Sequence, residues 1–362
     1  MNSISPLSSR APASALPAAP RSRRLGKRFT ALALAIALGG PAAAHASYAE
    51  REDARAFAAE IAGRHALDAS EIERALAGAR HDPEVIRLIT PPTRKGVRSW
   101  HAYRARFLDR TRIDGGMRFW REYADSLARA ERETGVPAAV IVAIIGVETI
   151  YGRNTGNFET LSTLATLAFD YPPRAELFRR ELEALFLLAR EQGRDPASYY
   201  GSFAGALGYP QFLPSSMRAY ALDFDNNGAI DFDSDPIDAI GSVANYLRVH
   251  GWQTGAPVAE RARLSPATDI AGLVAAGIEP TLAPALLADN GVTTADGRMA
   301  AAVATLVDLE TPGADTEYWL GYRNFYVITR YNRSSFYAMS VFELAEALRL
   351  GRLVEEIRAE RR

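Results

Sequence analysis

The 362-residue chain contains no cysteine. That absence excludes disulfides, thiolate metal sites, cysteine nucleophiles and a lipid-modified cysteine. Histidine is scarce, at five residues. His45 falls in an N-terminal leader, and His65, His81, His101 and His250 show no metal-ligand spacing. Also missing are a His-Glu-x-x-His zinc helix, a Gly-Lys-Ser/Thr phosphate loop and a Gly-x-Ser-x-Gly elbow. No apolar run reaches the roughly 20 residues that span a bilayer. What remains is acid chemistry on an ordinary globular chain, 48% hydrophobic and 23% charged.

The first 46 residues differ from the rest. Arg21, Arg23, Arg24, Lys27 and Arg28 form a basic stretch, followed by an apolar run from Phe29 to Leu38 and the small-x-small site Ala44-His45-Ala46. This is the layout of a secretory signal peptide. The expectation is export to the periplasm of a soluble protein with no lipid anchor and no membrane span. Removing residues 1–46 takes away six basic residues and no acidic one, leaving 36 against 43 and a balance of −7. That balance does not suit a nucleic-acid-binding surface.

Helical periodicity dominates the remainder. It runs from Tyr48 to Leu88, where Asp68 and Ser70 offer caps, and again over 99–113 and 116–134. Ala138–Glu148 is apolar on nearly every side and should be a buried helix. Leu161–Phe169, Arg174–Gln192 and Ile237–His250 read as further helices, and Gly201–Ser216 as a structured loop with a short helix. After Trp252 the texture changes, and Val303–Leu309 and Asn324–Thr329 read as strands. A helical pattern returns from Ser340. The fold class is therefore mainly α, in the α+β sense, with a small β-rich insertion. The divisions expected are a signal peptide at 1–46, an N-terminal helical region at 47–98, a helical core at 99–252, a small β-containing domain at 253–325, and a segment at 326–362 that returns to the core.

One acid stands out. Glu148 follows the apolar run Val140–Val147. An ionised carboxylate is costly to bury, so such a placement raises the pKa and keeps the proton on. A protonated carboxyl near a leaving oxygen is what glycosidic cleavage requires. A surface glutamate at the end of a buried helix is the plain alternative. Glu159 is the nearest competing acid.

The blocks around Glu148 resemble those of the lytic murein transglycosylases of the B type. They include Trp100-x-x-Tyr103-Arg104, Arg112-Ile113, Phe119-Trp120 and Gly146-Val147-Glu148-Thr149-x-x-Gly152-Arg153. They continue with Gly201-Ser202-Phe203-Ala204-Gly205-Ala206-Leu207-Gly208, Pro210-Gln211-Phe212-x-Pro214-Ser215-Ser216, Asp238–Tyr246 and Phe325–Asn332. The blocks span most of the chain after residue 46, most weakly over 253–320.

The resemblance implies a lysozyme-like core, peptidoglycan glycan strands as substrate, and Glu148 as the only catalytic acid. It implies that Ser202 and Gln211 bond near the acid and the acetamido group. It places Tyr103, Tyr246, Tyr331, Asn332 and Tyr337 along the sugar groove. Each also has a structural alternative: Tyr246 and Tyr337 as core, Ser202 and Gln211 as loop braces. The implied reaction cuts between N-acetylmuramic acid and N-acetylglucosamine without water, leaving a 1,6-anhydro ring. A muramidase on the same site and a non-catalytic wall-binding protein are the alternatives. A monomer is expected, with cell-wall synthesis proteins as candidate partners.

A second motif lies at 223–238. Asp223, Asp225 and Asn227 occupy positions 1, 3 and 5 of an EF-hand-like loop, with Gly228 at 6, the Ala229 carbonyl at 7 and Asp231 at 9. Position 12 is Ser234 rather than Glu. Asp235 reads as the N-cap of the next helix, with Pro236 at its first position. Asp238 is the candidate late ligand, because the resembling family carries an extended loop of this kind. A structural Ca2+ is the expected occupant, and a metal-free Asp/Asn/Gly turn is the alternative.

Overall fold

The computed structural model describes residues 47–92 and 96–361. The expected signal peptide lies outside them. Three helices open the described chain: α1 (Glu52–His65), α2 (Ala69–Gly78) and α3 (Pro83–Ile89). The cap at Asp68 forms, its side chain accepting from Ser70 N at 2.8 Å. Asp82 caps α3 in the same way, ahead of Pro83. These side chains satisfy amide groups that the first turn leaves without partners.

The next stretch departs from expectation. Residues 99–113 are not one helix. A short α4 (Trp100–Arg104) ends at a turn, and Asp109 then caps α5 (Arg110–Glu122) by accepting from Arg112 N. The aspartate competes for local amides and restarts the helix. α6 (Ala124–Thr134) and α7 (Ala138–Thr149) follow, with Gly135 at φ 71° ending α6. α7 carries eleven buried residues among its twelve. It packs against α5 and α6 and against two helices introduced below. Each aliphatic side chain buried there contributes roughly 1.5–3 kcal/mol.

A two-residue strand β1 (Phe158–Glu159) leads into α8 (Thr160–Asp170) and α9 (Ala175–Gln192). Then come β2 (Tyr200–Gly201), which pairs with β1, α10 (Pro214–Tyr220) and α11 (Pro236–Val249). Asp235 caps α11, accepting from Ile237 N at 2.8 Å.

The small sheet comes next, with two short helices between its strands. The elements are β3 (Ala259–Leu264), α12 (Ile270–Ala275), α13 (Pro284–Asp289), β4 (Val292–Thr294), β5 (Thr305–Leu309) and β6 (Glu317–Gly321). The strand order is β4-β3-β6-β5 and every pairing is antiparallel. β5 carries apolar residues on both faces, broken by the half-buried Asp308, because both faces are covered. Leu306 joins a second core with Leu273, Leu287 and Leu320, while Val307 and Leu309 belong to the main helical core. Strands buried on both faces lose the polar alternation.

Two helices complete the chain: α14 (Arg323–Tyr331) and α15 (Ser335–Glu360). α14 corrects the strand expected at Asn324–Thr329. The run Phe325-Tyr326-Val327-Ile328-Thr329 favours β locally. Yet Phe325 and Ile328, three apart, are both fully buried, as is Val327, and the helical face they make packs on the core. Tertiary burial overrides the propensity. α15 lies along α7, so the last helix closes the core that the seventh one opens.

Candidate active site

Glu148 is the penultimate residue of α7. The chain then turns through three consecutive residues of positive φ: Ile150 at 53°, Tyr151 at 60° and Gly152 at 82°. The left-handed region costs a side-chain-bearing residue roughly 1–2 kcal/mol, so something must hold the turn. Thr149 Oγ1 donates to the Tyr209 carbonyl at 3.0 Å and accepts from Gly152 N at 3.0 Å. The Tyr151 hydroxyl donates to the Arg112 carbonyl at 2.8 Å. Its side chain lies where a Cβ on Gly115 would come within 2.9 Å of the ring, and one on Gly116 or Gly146 within 2.5 Å or 2.4 Å of the hydroxyl. Three helical glycines, unfavourable to their helices, make the slot that locks the turn after the acid.

The carboxyl of Glu148 faces tyrosines. Tyr337, buried on α15, donates its hydroxyl to Glu148 Oε1 at 2.5 Å. Burial pushes the Glu148 carboxyl up to about 7, and the Tyr337 bond pulls it part-way back. No Arg, Lys or His pairs with Glu148 among the described residues. Burial raises the phenol pKa values of Tyr331 and Tyr103, and the Glu148 charge raises both further, which places those rings around the same carboxyl. Tyr331 and Tyr337 stack with centroids 6.4 Å apart and planes 16° apart.

The other expected groove residues are placed as follows. Tyr331 donates to the Pro210 carbonyl at 2.5 Å and meets Tyr246 edge-on at 4.9 Å. Tyr246 is largely buried, stacks on His250 at 4.0 Å and donates to the Arg330 carbonyl at 2.6 Å. Ser202 Oγ accepts from the amides of Ala204 and Ala206 at 3.3 Å and 3.1 Å. Gln211, at φ 51°, uses Nε2 to bridge the Thr155 and Gly208 carbonyls. Asn332 is exposed at the end of α14. Thus Glu148, Tyr103, Tyr331 and Tyr337 share one site. Tyr246 backs it from the core. Ser202 and Gln211 brace the loop whose Tyr209 and Pro210 carbonyls tie α7 and Tyr331 together, and neither bonds directly to Glu148.

Residues 49–346 match the transglycosylase SLT domain family. The membrane-bound lytic murein transglycosylase B of Escherichia coli K12 is 40% identical over 315 residues, which is 84% of this chain and 85% of that protein. The chain belongs to the lytic murein transglycosylase B family. Its fold is shared with the soluble lytic transglycosylase SltB1 of Pseudomonas aeruginosa, at 44% identity, a TM-score of 0.76, and coverage of 82% of this chain and 98% of that one. It is shared too with the Escherichia coli lytic transglycosylase Slt35, a structure in complex with calcium, at 40% identity and a TM-score of 0.73, over 84% and 95% of the two chains. The lysozyme-like, mainly α class and the activity, a peptidoglycan lytic transglycosylase, follow from these matches. Among the described residues of this transglycosylase no helix is long and apolar enough to cross a membrane.

The acidic loop folds around Asp238. That residue is 1% exposed, and its carboxylate accepts from the amides of Phe224 at 2.7 Å and Asp231 at 2.9 Å. Carboxylate oxygens of Asp223, Asp225 and Asp238 lie within 4.8 Å of one another. Burial pushes the Asp238 carboxyl up, against its backbone bonds, and the Asp225 charge adds to the rise. The Asp231 carboxylate turns back onto Ser234 and Asp233 N instead. Hard oxygens with unrelieved negative charge fit a divalent cation of the calcium type.

Sequence reasoning missed Thr149 and Tyr151. The Gly115-Gly116 pair inside α5 was the available signal, since adjacent glycines in a helix mark a close approach.

Proposed function

We propose that Glu148 is the single acid-then-base of this transglycosylase. The observation that carries it is a carboxyl raised to about 7 with a tyrosine donor and no cation partner. Such a group keeps its proton near neutral pH and can give it to the glycosidic oxygen between N-acetylmuramic acid and N-acetylglucosamine. Positive charge then builds on the muramoyl ring, where the substrate's own acetamido oxygen stabilises it. Glu148, now ionised and held by Tyr337, accepts the proton of the muramoyl 6-hydroxyl as that oxygen attacks the anomeric carbon. The product is a 1,6-anhydro ring, and no water is consumed.

Tyr103 and Tyr331 wall the groove with faces on which sugar rings stack, and the buried Tyr337 lines it behind them through the hydroxyl that holds Glu148. Tyr246 supports Tyr331 from behind, and the exposed Asn332 offers an amide at the groove edge. Ser202 and Gln211 shape the loop beneath, and the Gln211 carbonyl oxygen is the group that meets the acetamido N–H.

Asp223, Asp225 and Asp238, with the Asn227 side chain and the Ala229 carbonyl, hold a structural Ca2+. Bound there, it would relieve the repulsion among the three carboxylates and tie the loop to α11. The leader at 1–46 exports the chain to the periplasm, where peptidoglycan strands are its substrate and wall-synthesis proteins its candidate partners. The protein acts there as a monomer.

The test is mass spectrometry of the fragments released from purified sacculi by residues 47–362. Fragments ending in 1,6-anhydromuramic acid are expected. Reducing ends would replace this mechanism with a muramidase. Binding without release would leave a wall-binding module.

A further inference from the structure

The acidic loop and the turn after Glu148 meet at one peptide group. Asp238, buried in the first turn of α11, accepts from Phe224 N at 2.7 Å and from Asp231 N at 2.9 Å. The next residue of the loop, Phe232, points its carbonyl the other way and accepts from Tyr209 N at 3.0 Å. The approach is close, since a Cβ on Gly208 would lie 2.3 Å from that carbonyl oxygen. The Tyr209 carbonyl in turn accepts from Thr149 Oγ1 at 3.0 Å. Three hydrogen bonds therefore lead from Asp238 to the residue after Glu148. Both ends of this path are under load. At one end the turn keeps Ile150 and Tyr151 at positive φ, a strain that the surroundings must hold. At the other, carboxylate oxygens of Asp223, Asp225 and Asp238 lie within 4.8 Å of one another, and like charges at that range repel.

We propose that the Asp231-Phe232 segment and the Tyr209 peptide groups are a positioning link, through which a divalent cation in the acidic loop steadies the turn that aims Glu148. With the repulsion among the three carboxylates relieved, Asp238 stays in place and holds Asp231 N. The Phe232 carbonyl then fixes Tyr209, and the Tyr209 carbonyl fixes Thr149. With the repulsion unrelieved, Asp238 is pushed from its place, the path slackens, and the strained turn loses an anchor. The turn is the element with two states, held and released, that the loop biases from a distance. The link acts on the acid rather than on the sugar-stacking walls, so it belongs to kcat more than to KM. It rests on the readings of the loop as a Ca2+ site and of Glu148 as the catalytic acid.

The test titrates Ca2+ into chelator-stripped protein, well below its melting temperature. Three quantities are read: the heat of binding, amide exchange at Ile150, Tyr151 and Gly152, and release of anhydro products from soluble glycan strands. Ca2+ should slow the exchange and raise kcat roughly tenfold, within the usual range of coupling between sites, with KM changed by less than about twofold. Thr149→Val lacks the hydroxyl that meets Tyr209. It should still bind Ca2+, while its exchange and kcat no longer respond. Thr149→Ser keeps the hydroxyl and should respond as the parent does. Ca2+ that binds the parent but leaves its exchange and kcat unchanged overturns the link and spares the cation reading. A Thr149→Val protein that responds as the parent does also overturns it, since the stabilisation then reaches the turn by another route. No heat of binding overturns the cation reading, and the link falls with it. A parent that yields no anhydro product overturns the catalytic reading instead. In that case, or if Thr149→Val does not fold, exchange in the parent decides: slowing by Ca2+ supports the link and no change rejects it.

Discussion

Glu148 and Asp170 stand at the C-terminal ends of two helices, α7 and α8, and titrate in opposite directions. Each is partly buried. Each accepts a tyrosine hydroxyl, Tyr337 at 2.5 Å on Glu148 and Tyr48 at 2.6 Å on Asp170. Burial pushes both carboxyls up. At Asp170 the bonds from Tyr48, Arg51 and His81 overcome it, and the group lies below the usual carboxylate range. At Glu148 the tyrosine acts alone, and burial wins. A tyrosine bond therefore does not decide which acid keeps its proton. A cation does. The acid paired with Arg51 pins the start of the described chain to α8, while the unpaired one is free for chemistry.

The most severe break is Glu148→Gln. Product release should fall by roughly 10²–10⁴-fold, the usual worth of a general acid, with the fold intact. Stability should move the other way. Between the unfolded pKa near 4.5 and the folded value of about 7, the folded state binds more protons, so the parent loses stability as pH rises through that window. The glutamine variant should melt higher than the parent at pH 8 by up to about 3 kcal/mol and show little gain at pH 4. Parent activity should fall as pH rises through about 7.

Next comes Arg51→Ala, which makes Asp170 resemble Glu148. It should cost about 2 kcal/mol at neutral pH in denaturant titrations, because it strands a partly buried carboxylate. The folded pKa of Asp170 is depressed, so its contribution is present above the ordinary carboxylate range and lost as pH falls through the folded value. The penalty should therefore shrink in acid. A penalty unchanged in acid would assign the effect to guanidinium packing on Tyr48 and Phe169.

Tyr337→Phe sharpens the contrast from the other side. It removes the bond that lowers the Glu148 pKa. The alkaline limit of activity should move to higher pH while the maximal rate drops by roughly tenfold or less, the worth of one hydrogen bond. A limit that moves to lower pH would reject the role of Tyr337. The smallest effect concerns a third acid, Asp238, buried like the others and without a cation of its own. Added Ca2+ should raise the melting temperature by a few degrees through preferential binding to the folded state, and Asp238→Asn should abolish the rise.

Much of this was legible in the linear order. Asp68 and Asp235 were readable as caps because capping is a local contest for amide hydrogens two residues on. The Ala138–Thr149 helix was readable because a segment apolar on every side has one place to go. The strand expected at Asn324–Thr329 failed because a short run of aromatic and β-branched residues fits either period, and only packing beside α15 chose the helix. The single helix expected over 99–113 failed because Asp109, one residue in an otherwise helical periodicity, caps a new helix at Arg110.

The site divides in the same way. The sequence alone put a lone acid at the end of an apolar helix and a cluster of oxygen ligands on a short loop, since both depend on neighbours in the chain. It did not reveal that Tyr337, 189 residues further on, would hold that acid. Nor did it reveal that three glycines would clasp the Tyr151 side chain behind it. Those contacts exist only once α5, α7 and α15 are packed together. The protonation state of Glu148 was the tertiary structure's decision, because it depends on the water and cations kept away from the carboxyl, and the exclusion is built from residues distant in the chain.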